Sequence, residues 1–99
     1  MNIYHIVMPD SWAAQKDLDE YEHESLAGEG FIHCSYAAQV PGVLGRYYTG
    51  VDRVIILTID PVHLEAKLVE EASTGGEIYP HIYGKINKEA IINAEERIV

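Results

Sequence analysis

The sequence predicts a single α+β domain with mostly antiparallel strands. Three observations support this fold class: short runs rich in β-branched and aromatic residues recur along the chain, the helical patterns between them are brief, and turn residues separate them. We expect about six strands and two or three short helices. The 99 residues fit one domain, residues 1–99, and leave no room for two.

The first third of the chain predicts two strands with a short helix and a loop between them. Residues 2–8 form a β-rich apolar run that Pro9 ends, and a helix capped by Asp10 or Ser11 follows through about Lys16. Residues 17–29 are acidic and irregular, so we expect a loop there. Residues 31–34 predict the second strand.

A helix is predicted after this second strand. Ser35 stands where a helix N-cap belongs, and Pro41 suits the first turn of a helix that restarts there and ends at Gly50. A buried stripe with i, i+3, i+4, i+7 spacing is formed by Val40, Val43, Leu44 and Tyr47.

The strongest strand is predicted at residues 53–60. Its run at residues 54–57 is apolar on both faces, which indicates a central strand covered on both sides. Residues 79–86 predict a strand entered through Pro80, and proline favours a position at the edge of the sheet. Further strands are expected at residues 66–71 and 90–98, and Asn87 is expected to cap one helical turn.

The charge balance limits the class of partner. Seven basic and sixteen acidic residues give a formal net charge of −9, which disfavours nucleic acids and anionic membranes as partners. A small anionic ligand remains compatible, with Arg46 or Arg53 to hold it. The one cysteine cannot form an internal disulfide, and the N-terminus has no pattern of a signal peptide. We therefore expect a cytoplasmic protein that binds a small molecule.

The best candidate site is the segment of residues 30–35 together with Gln39. His33 and Ser35 project from one face of the strand, and Gln39 lies one helical turn later, so an imidazole, a hydroxyl and a carboxamide meet at a strand-to-helix junction. The alternative is that Ser35 caps the helix while His33 satisfies a buried backbone group. For Cys34, a buried and unreactive thiol is the preferred interpretation.

Other polar residues add to this site or stay outside it. His5 is either a core histidine with satisfied nitrogens or a ligand-facing one. His81 shares a face with Tyr79 and Tyr83, which form either a wall suited to stacking a flat ring or the water-facing side of an edge strand. Glu70 is a candidate base or a solvated acid. We expect no metal site, because the histidine spacings match no metal motif, and we expect solvated loop positions for His23 and His63.

These residues together resemble the bacterial domain of unknown function family 952. The match extends over nearly the whole chain and is most specific in the blocks GFIHCS (residues 30–35) and PHIYG (residues 80–84). The other matching positions are Tyr4, His5, Trp12, Gln39, Tyr47, Tyr48, residues 57–60 and Glu70. The resemblance implies an ADP-ribosyltransferase-like fold, a split pair of antiparallel sheets with a nicotinamide-nucleotide cleft between them.

The resemblance also implies roles for individual residues. His5 matches, in type and place, the position that fixes the nicotinamide ribose, and His33 and Ser35 are the candidates for the second motif. The third motif supplies a catalytic Glu or Gln, for which Glu70, or Gln39 by default, is available. Tyr83 would stack on the nicotinamide, while Gln39, Arg46 and His81 would line the ligand site.

Three functions follow as hypotheses. The first is a domain that binds a nucleotide such as NAD or an ADP-ribose derivative; as an enzyme it would be a glycosyltransferase or glycohydrolase acting on an NAD-like substrate, with NAD as substrate and no resident cofactor. The second is a binding module without catalysis, which the missing third-motif glutamate favours. The third is a structural or interaction domain in which these polar residues are caps and core hydrogen bonds.

Overall fold

The computed structural model describes residues 1–99 apart from the side chain of Thr74. Within that part of the chain we observe eight strands and three α-helices. The strands are β1 (Ile3–Val7), β2 (Glu20–Tyr21), β3 (Ile32–His33), β4 (Arg53–Ile59), β5 (Lys67–Ala72), β6 (Ile78–Tyr83), β7 (Ile86–Asn87) and β8 (Ile91–Ile98). The helices are α1 (Pro9–Ala13), α2 (Glu24–Glu29) and α3 (Val40–Tyr47), with 3-10 turns at Ala37–Gln39, Pro61–His63 and Lys88–Ala90.

The predicted α+β class with mostly antiparallel strands is confirmed, but the strands lie in three sheets rather than in one. One sheet has the order β1-β4-β8, a second has the order β3-β6-β5, and β2 pairs with β7. All of these pairs are antiparallel. We call the first two the β4 sheet and the β6 sheet after their central strands.

The central position predicted for residues 53–60 is confirmed. On one face of the β4 sheet, Leu57 and Ile59 join a core that includes Ile32 and Ile82 of the β6 sheet. On the other face, Val54 and Ile56 pack with Val40 of α3. Burial on both faces explains why this strand is apolar at successive positions rather than at alternate ones.

The edge position predicted from Pro80 is wrong, because β6 lies between β3 and β5. The Cys34 amide donates to the Pro80 carbonyl oxygen at 3.1 Å. Proline has no N–H to return a bond to Cys34, so the β3–β6 pairing ends at this residue. A proline is therefore tolerated in this central strand at the point where its neighbour leaves the sheet.

Several local expectations also differ from the structure. The acidic stretch expected to be a loop contains α2, which Gly30 ends in a left-handed conformation with φ of 88°. Tyr47 is 58% exposed, so the predicted stripe on α3 is buried only in part. Asn87 does not cap a turn through its side chain. Its side-chain Oδ1 accepts from the Glu65 N–H, and its Nδ2 donates to the His63 carbonyl.

Among the described residues, no helix combines the length and the apolar character needed to span a bilayer.

Candidate functional site

The β4 sheet and the β6 sheet meet at one pair of residues, Tyr4 and Ser35. The Tyr4 amide donates to the Ser35 carbonyl at 2.8 Å, and the Ser35 amide donates to the Tyr4 carbonyl at 2.7 Å. This bridge is isolated and antiparallel. We call it the junction. Beyond the junction the two strands separate, because β1 stays paired with β4 while β3 is paired with β6.

The His5 side chain spans the gap that opens beside the junction. Its Nδ1 donates to the His33 carbonyl oxygen at 2.6 Å, and Tyr21 Oη donates to its Nε2 at 2.8 Å. A carbonyl only accepts, so the proton of the neutral imidazole lies on Nδ1. Burial lowers the pKa of His5 to about 3, which keeps the ring uncharged at neutral pH.

The backbone of Ile6 is left without a strand partner at the same place. In an antiparallel ladder, bonded pairs alternate, so Ile6 and His33 would form the next bonded pair after Tyr4 and Ser35. His5 occupies the His33 carbonyl instead. Because both backbone groups of Tyr4 bond to Ser35, the alternation of the strand turns the N–H and carbonyl of Ile6 to the same side, away from β4. On that side the Ile6 carbonyl accepts a long bond of 3.5 Å from Tyr48 Oη.

These backbone groups face a cleft of about 360 Å³, which lies within the usual size range of small-molecule sites. Its lining is aromatic and polar, with one carboxylate, Glu29, among the described residues. The lining residues are Tyr4, His5, Ile6, His23, Glu29, His33, Cys34, Ser35, Val43, Tyr47, Tyr48, Ser73 and Tyr79.

Ser35 does not cap the helix that follows it. Tyr36 occupies the N-cap position, and its N–H donates to Gln39 Oε1 at 2.9 Å. The Ser35 side chain is buried and lines the cleft, and its hydroxyl has no hydrogen-bond partner among the described side chains and backbone groups. A hydroxyl in this position is available to a ligand.

His23 lines the cleft as well, so the expectation of a solvated loop position is wrong for this residue. His23 is the N-cap residue of α2, because its Nδ1 accepts a hydrogen bond from the Ser25 N–H at 3.1 Å. The neutral ring therefore carries its proton on Nε2. Burial lowers the pKa of His23, which favours this uncharged form. His63 is exposed, as the sequence predicts.

His33 is an exposed residue of the cleft lining and is hydrogen-bonded to Glu29. Its Nε2 is 2.9 Å from Glu29 Oε2, and both side chains are about half exposed. Exposed pairs of this kind contribute little to stability. The pair therefore places an imidazole and a carboxylate where a ligand in the cleft would meet them.

His81 and Tyr83 belong to a neighbouring network rather than to the cleft wall. His81 is buried, its Nδ1 is 2.8 Å from Glu71 Oε1, and Tyr83 Oη donates to the same carboxylate. These two hydrogen bonds lower the pKa of Glu71. The hydrogen bond from Tyr83 has the larger effect, and the one from His81 has the smaller. Of the predicted aromatic wall, only Tyr79 lines the cleft.

The Gln39 side chain links Tyr36 to the segment of Glu77 and Ile78 by hydrogen bonds. Besides the bond from Tyr36, its amide Nε2 donates to Glu77 Oε2 and to the Ile78 carbonyl, both at 2.8 Å. All three bonds are internal to the protein, and Gln39 does not line the cleft.

Glu70 and Arg46 have different positions relative to the cleft. Tyr36 Oη donates to Glu70, and Glu70 does not line the cleft. Burial and this bond raise the pKa of Tyr36 to about 12. Arg46 lies at the rim: its Nη2 donates to the hydroxyl of the cleft residue Tyr79 at 2.7 Å.

Cys34 is fully buried in the core, and burial raises the pKa of its thiol. Within the part of the chain that the structure describes, no group of three or more His, Cys, Asp or Glu side chains is placed to hold a metal ion.

Comparison with known proteins identifies the family. A family model described as "Protein of unknown function (DUF952)" matches residues 6–94.

The chain belongs to the DUF952 family.

Solved structures with the same fold as this DUF952 chain come from one protein of Caulobacter crescentus, CC0527. Its crystal structure has a TM-score of 0.86 and 26% identity, covering 97% of this chain and 85% of CC0527. A double mutant gives the same TM-score at 25% identity with the same coverage. The solution NMR structure gives 0.76 at 25% identity, covering 95% and 82%. No curated protein matches the chain.

Four features in or beside the cleft of this DUF952 chain were not predicted from the sequence. Glu29 and His23 lay in the acidic stretch expected to be a loop, where a helix cap at His23 was the missed signal. Glu71 was passed over in favour of its neighbour Glu70, although strand alternation puts Glu71 on the face opposite to that of Glu70. The free Ile6 backbone depends on the separation of two sheets, which no local pattern signals.

Proposed function

We propose that the cleft binds a nucleotide with a carboxamide-bearing ring, of the class of NAD and related ADP-ribose derivatives. The observation that carries this proposal is the Ile6 N–H, which has no strand partner on the side away from β4, beside its own carbonyl in the cleft lining. A primary carboxamide is the complement of such a pair, because its oxygen accepts from the N–H while its NH₂ donates to the carbonyl.

The neighbouring imidazole supports an uncharged polar ligand group. His5 is neutral and lines the same part of the cleft, and both of its nitrogens are already bonded within the protein. It therefore presents an uncharged ring edge or face rather than a hydrogen-bonding atom. In this proposal His5 shapes the ribose side of the pocket and holds the Ile6 backbone in place.

The rim supports a phosphate-bearing ligand. Arg46 is bonded to the hydroxyl of Tyr79 and lies over the ring of Tyr47 with its guanidinium carbon 5.7 Å from the centroid. Among the described residues it has no carboxylate partner, whereas Arg53 and Arg97 are paired with glutamates. An arginine of this kind in a protein with net charge −9 is suited to a phosphate.

Aromatic rings and hydroxyls complete the case. Tyr4, Tyr48 and Tyr79 line the cleft and can pack against a flat base or a nicotinamide ring. The Ser35 hydroxyl and the His23 Nε2–H, both without partners in the described structure, would bond ribose hydroxyls. This arrangement between two antiparallel sheets is compatible with the ADP-ribosyltransferase-like fold that the sequence resembles.

Binding without turnover is the second candidate, and one observation favours it. The carboxylate expected to assist catalysis, Glu70, is bonded to Tyr36 and does not line the cleft. If the protein cleaves the glycosidic bond, Glu29 would stabilise the developing oxocarbenium ion, because it is the carboxylate that lines the cleft. Release of nicotinamide by the wild type, lost in Glu29→Gln, would select the enzyme.

Calorimetry with matched ligands tests the proposed binding. We expect NAD to bind at least about tenfold more tightly than its deamidated analogue, because a carboxylate lacks the donor that the Ile6 carbonyl requires and brings a charge close to it. Arg46→Ala, which removes the guanidinium bonded to the cleft residue Tyr79, should weaken both ligands. Arg53→Ala, which removes the same charge from a residue paired with Glu96, should not. Equal affinity for the two ligands would refute the carboxamide assignment.

A further inference from the structure

Two buried histidines of this protein differ in how their nitrogens are used. The His5 and His81 side chains are 2% and 3% exposed. Both nitrogens of His5 have protein partners. In His81, Nδ1 is bonded to Glu71, but Nε2 is buried and has no partner among the described residues. A buried polar atom without a partner costs free energy, so this one calls for an explanation.

His81 contacts two aromatic rings, those of Phe31 and of the cleft residue His33. Its pairing neighbour His33 and its strand neighbour Tyr79 both line the cleft, whereas His81 does not. The ring of Phe31 stacks on His81, with centroids 4.1 Å apart and an interplanar angle of 20°, and it also contacts the rings of His33 and Tyr83. Phe31 itself is only half-buried.

We propose that the cleft has a side compartment, closed by Phe31, in which His81 Nε2 accepts a hydrogen bond from a sugar hydroxyl of the ligand. Because the Glu71 carboxylate accepts from Nδ1–H, the tautomer with its proton on Nδ1 leaves the lone pair on Nε2. Tyr83 Oη donates to the same carboxylate and holds it in place. Rotation of Phe31 would extend the cleft past His33 and expose this acceptor.

The assignment of the occupant as a sugar hydroxyl rests on the proposed function. The compartment itself rests on the positions of Phe31, His81 and Glu71 alone. The two can therefore be tested separately.

Carbethoxylation with diethyl pyrocarbonate, followed residue by residue by mass spectrometry, tests the compartment. The reagent attacks an uncharged imidazole nitrogen that has a free lone pair. We expect His81 of the folded wild-type protein to be labelled faster than His5, which is equally buried but has both nitrogens bonded. Phe31→Ala should accelerate labelling of His81 by about tenfold or more, since it keeps the compartment open, and Phe31→Leu should give an intermediate rate.

His5 serves as the internal control for folding. If Phe31→Ala labels His5 as well, that variant is unfolded and the Phe31→Leu rates decide. The proposal is overturned if His81 is labelled no faster than His5 in the wild type, or if neither variant accelerates it. Added NAD should slow labelling of His81. Fast labelling of His81 that added NAD does not slow would support the compartment and refute the nucleotide as its occupant. If NAD binds but His81 is not labelled, only the compartment is refuted.

Discussion

The imidazole Nδ1 of His5 donates to the backbone carbonyl oxygen of His33 at 2.6 Å, across the gap between the β4 sheet and the β6 sheet. In a continuous ladder the Ile6 N–H would make that bond. A side chain thus takes the place of a backbone group. This bond links the two sheets, and it leaves the N–H and the carbonyl of Ile6 facing the cleft instead of His33.

Replacing His5 should destabilise the fold. His5→Phe keeps a ring of similar shape but leaves the Tyr21 hydroxyl and the His33 carbonyl buried without partners. We expect the free energy of unfolding to fall by about 2–4 kcal/mol, measured by urea denaturation. The exposed His63→Ala variant is the control and should change it by less than about 0.5 kcal/mol. A His5→Phe protein as stable as wild type would contradict the role of this bond.

Stability should decrease on acidification because of His5. The unfolded chain binds a proton at His5 below its ordinary pKa of 6.5, while the folded protein binds it only near a pKa of about 3. Between these values the unfolded state holds the extra proton, so this stabilisation is complete above pH 6.5 and is lost as the pH falls. One proton corresponds to about 1.4 kcal/mol per pH unit.

Denaturation curves at several pH values between 3 and 6.5 measure this dependence. The lowered pKa values of His23 and Glu71 act in the same direction. His5→Phe should therefore retain part of the slope and lose about one proton of it. An unchanged slope would mean that His5 titrates normally in the folded protein.

Ser35→Ala should leave stability unchanged and weaken ligand binding. The Ser35 hydroxyl makes no hydrogen bond within the described structure, so its removal should alter the free energy of unfolding by less than about 0.5 kcal/mol. The affinity for NAD should fall by about fivefold to tenfold as one hydrogen bond is lost, which calorimetry would detect. A clear loss of stability with unchanged affinity would favour a structural role for this serine.

Gln39→Ala should give the opposite result. Its side chain joins Tyr36 to Glu77 and Ile78 by three hydrogen bonds and does not line the cleft. We expect a loss of about 1–3 kcal/mol in the free energy of unfolding, with NAD affinity per folded molecule within about twofold of wild type. Selective loss of binding would place Gln39 in the ligand site after all.

Local sequence patterns predict those parts of the fold in which the residues of one strand or helix alone determine which of its faces are buried. The run at residues 54–57 is apolar at every position, and this alone predicts a strand covered on both faces. Pro80 shows the limit of such reasoning. Its missing N–H excludes one bond, but only the path of the neighbouring chain determines whether that bond was needed.

The candidate site was predicted in part for the same reason. The pattern of residues 30–35 and the lone His5 pointed to the place where the cleft lies. The choice between Glu70 and Glu71, and the position of His23, depend on the register of β5 with β6 and on a cap of α2. The free Ile6 backbone follows from two sheets separating, which is a property of the tertiary structure alone.

The most direct test of the central claim is an NMR titration of the ¹⁵N-labelled protein with NAD, observed at the Ile6 amide. If the cleft binds the carboxamide, the Ile6 amide proton should move downfield as it gains a hydrogen bond, while the amide of the exposed Val62, outside the cleft lining, stays in place. An Ile6 resonance that does not move at millimolar NAD would contradict the account.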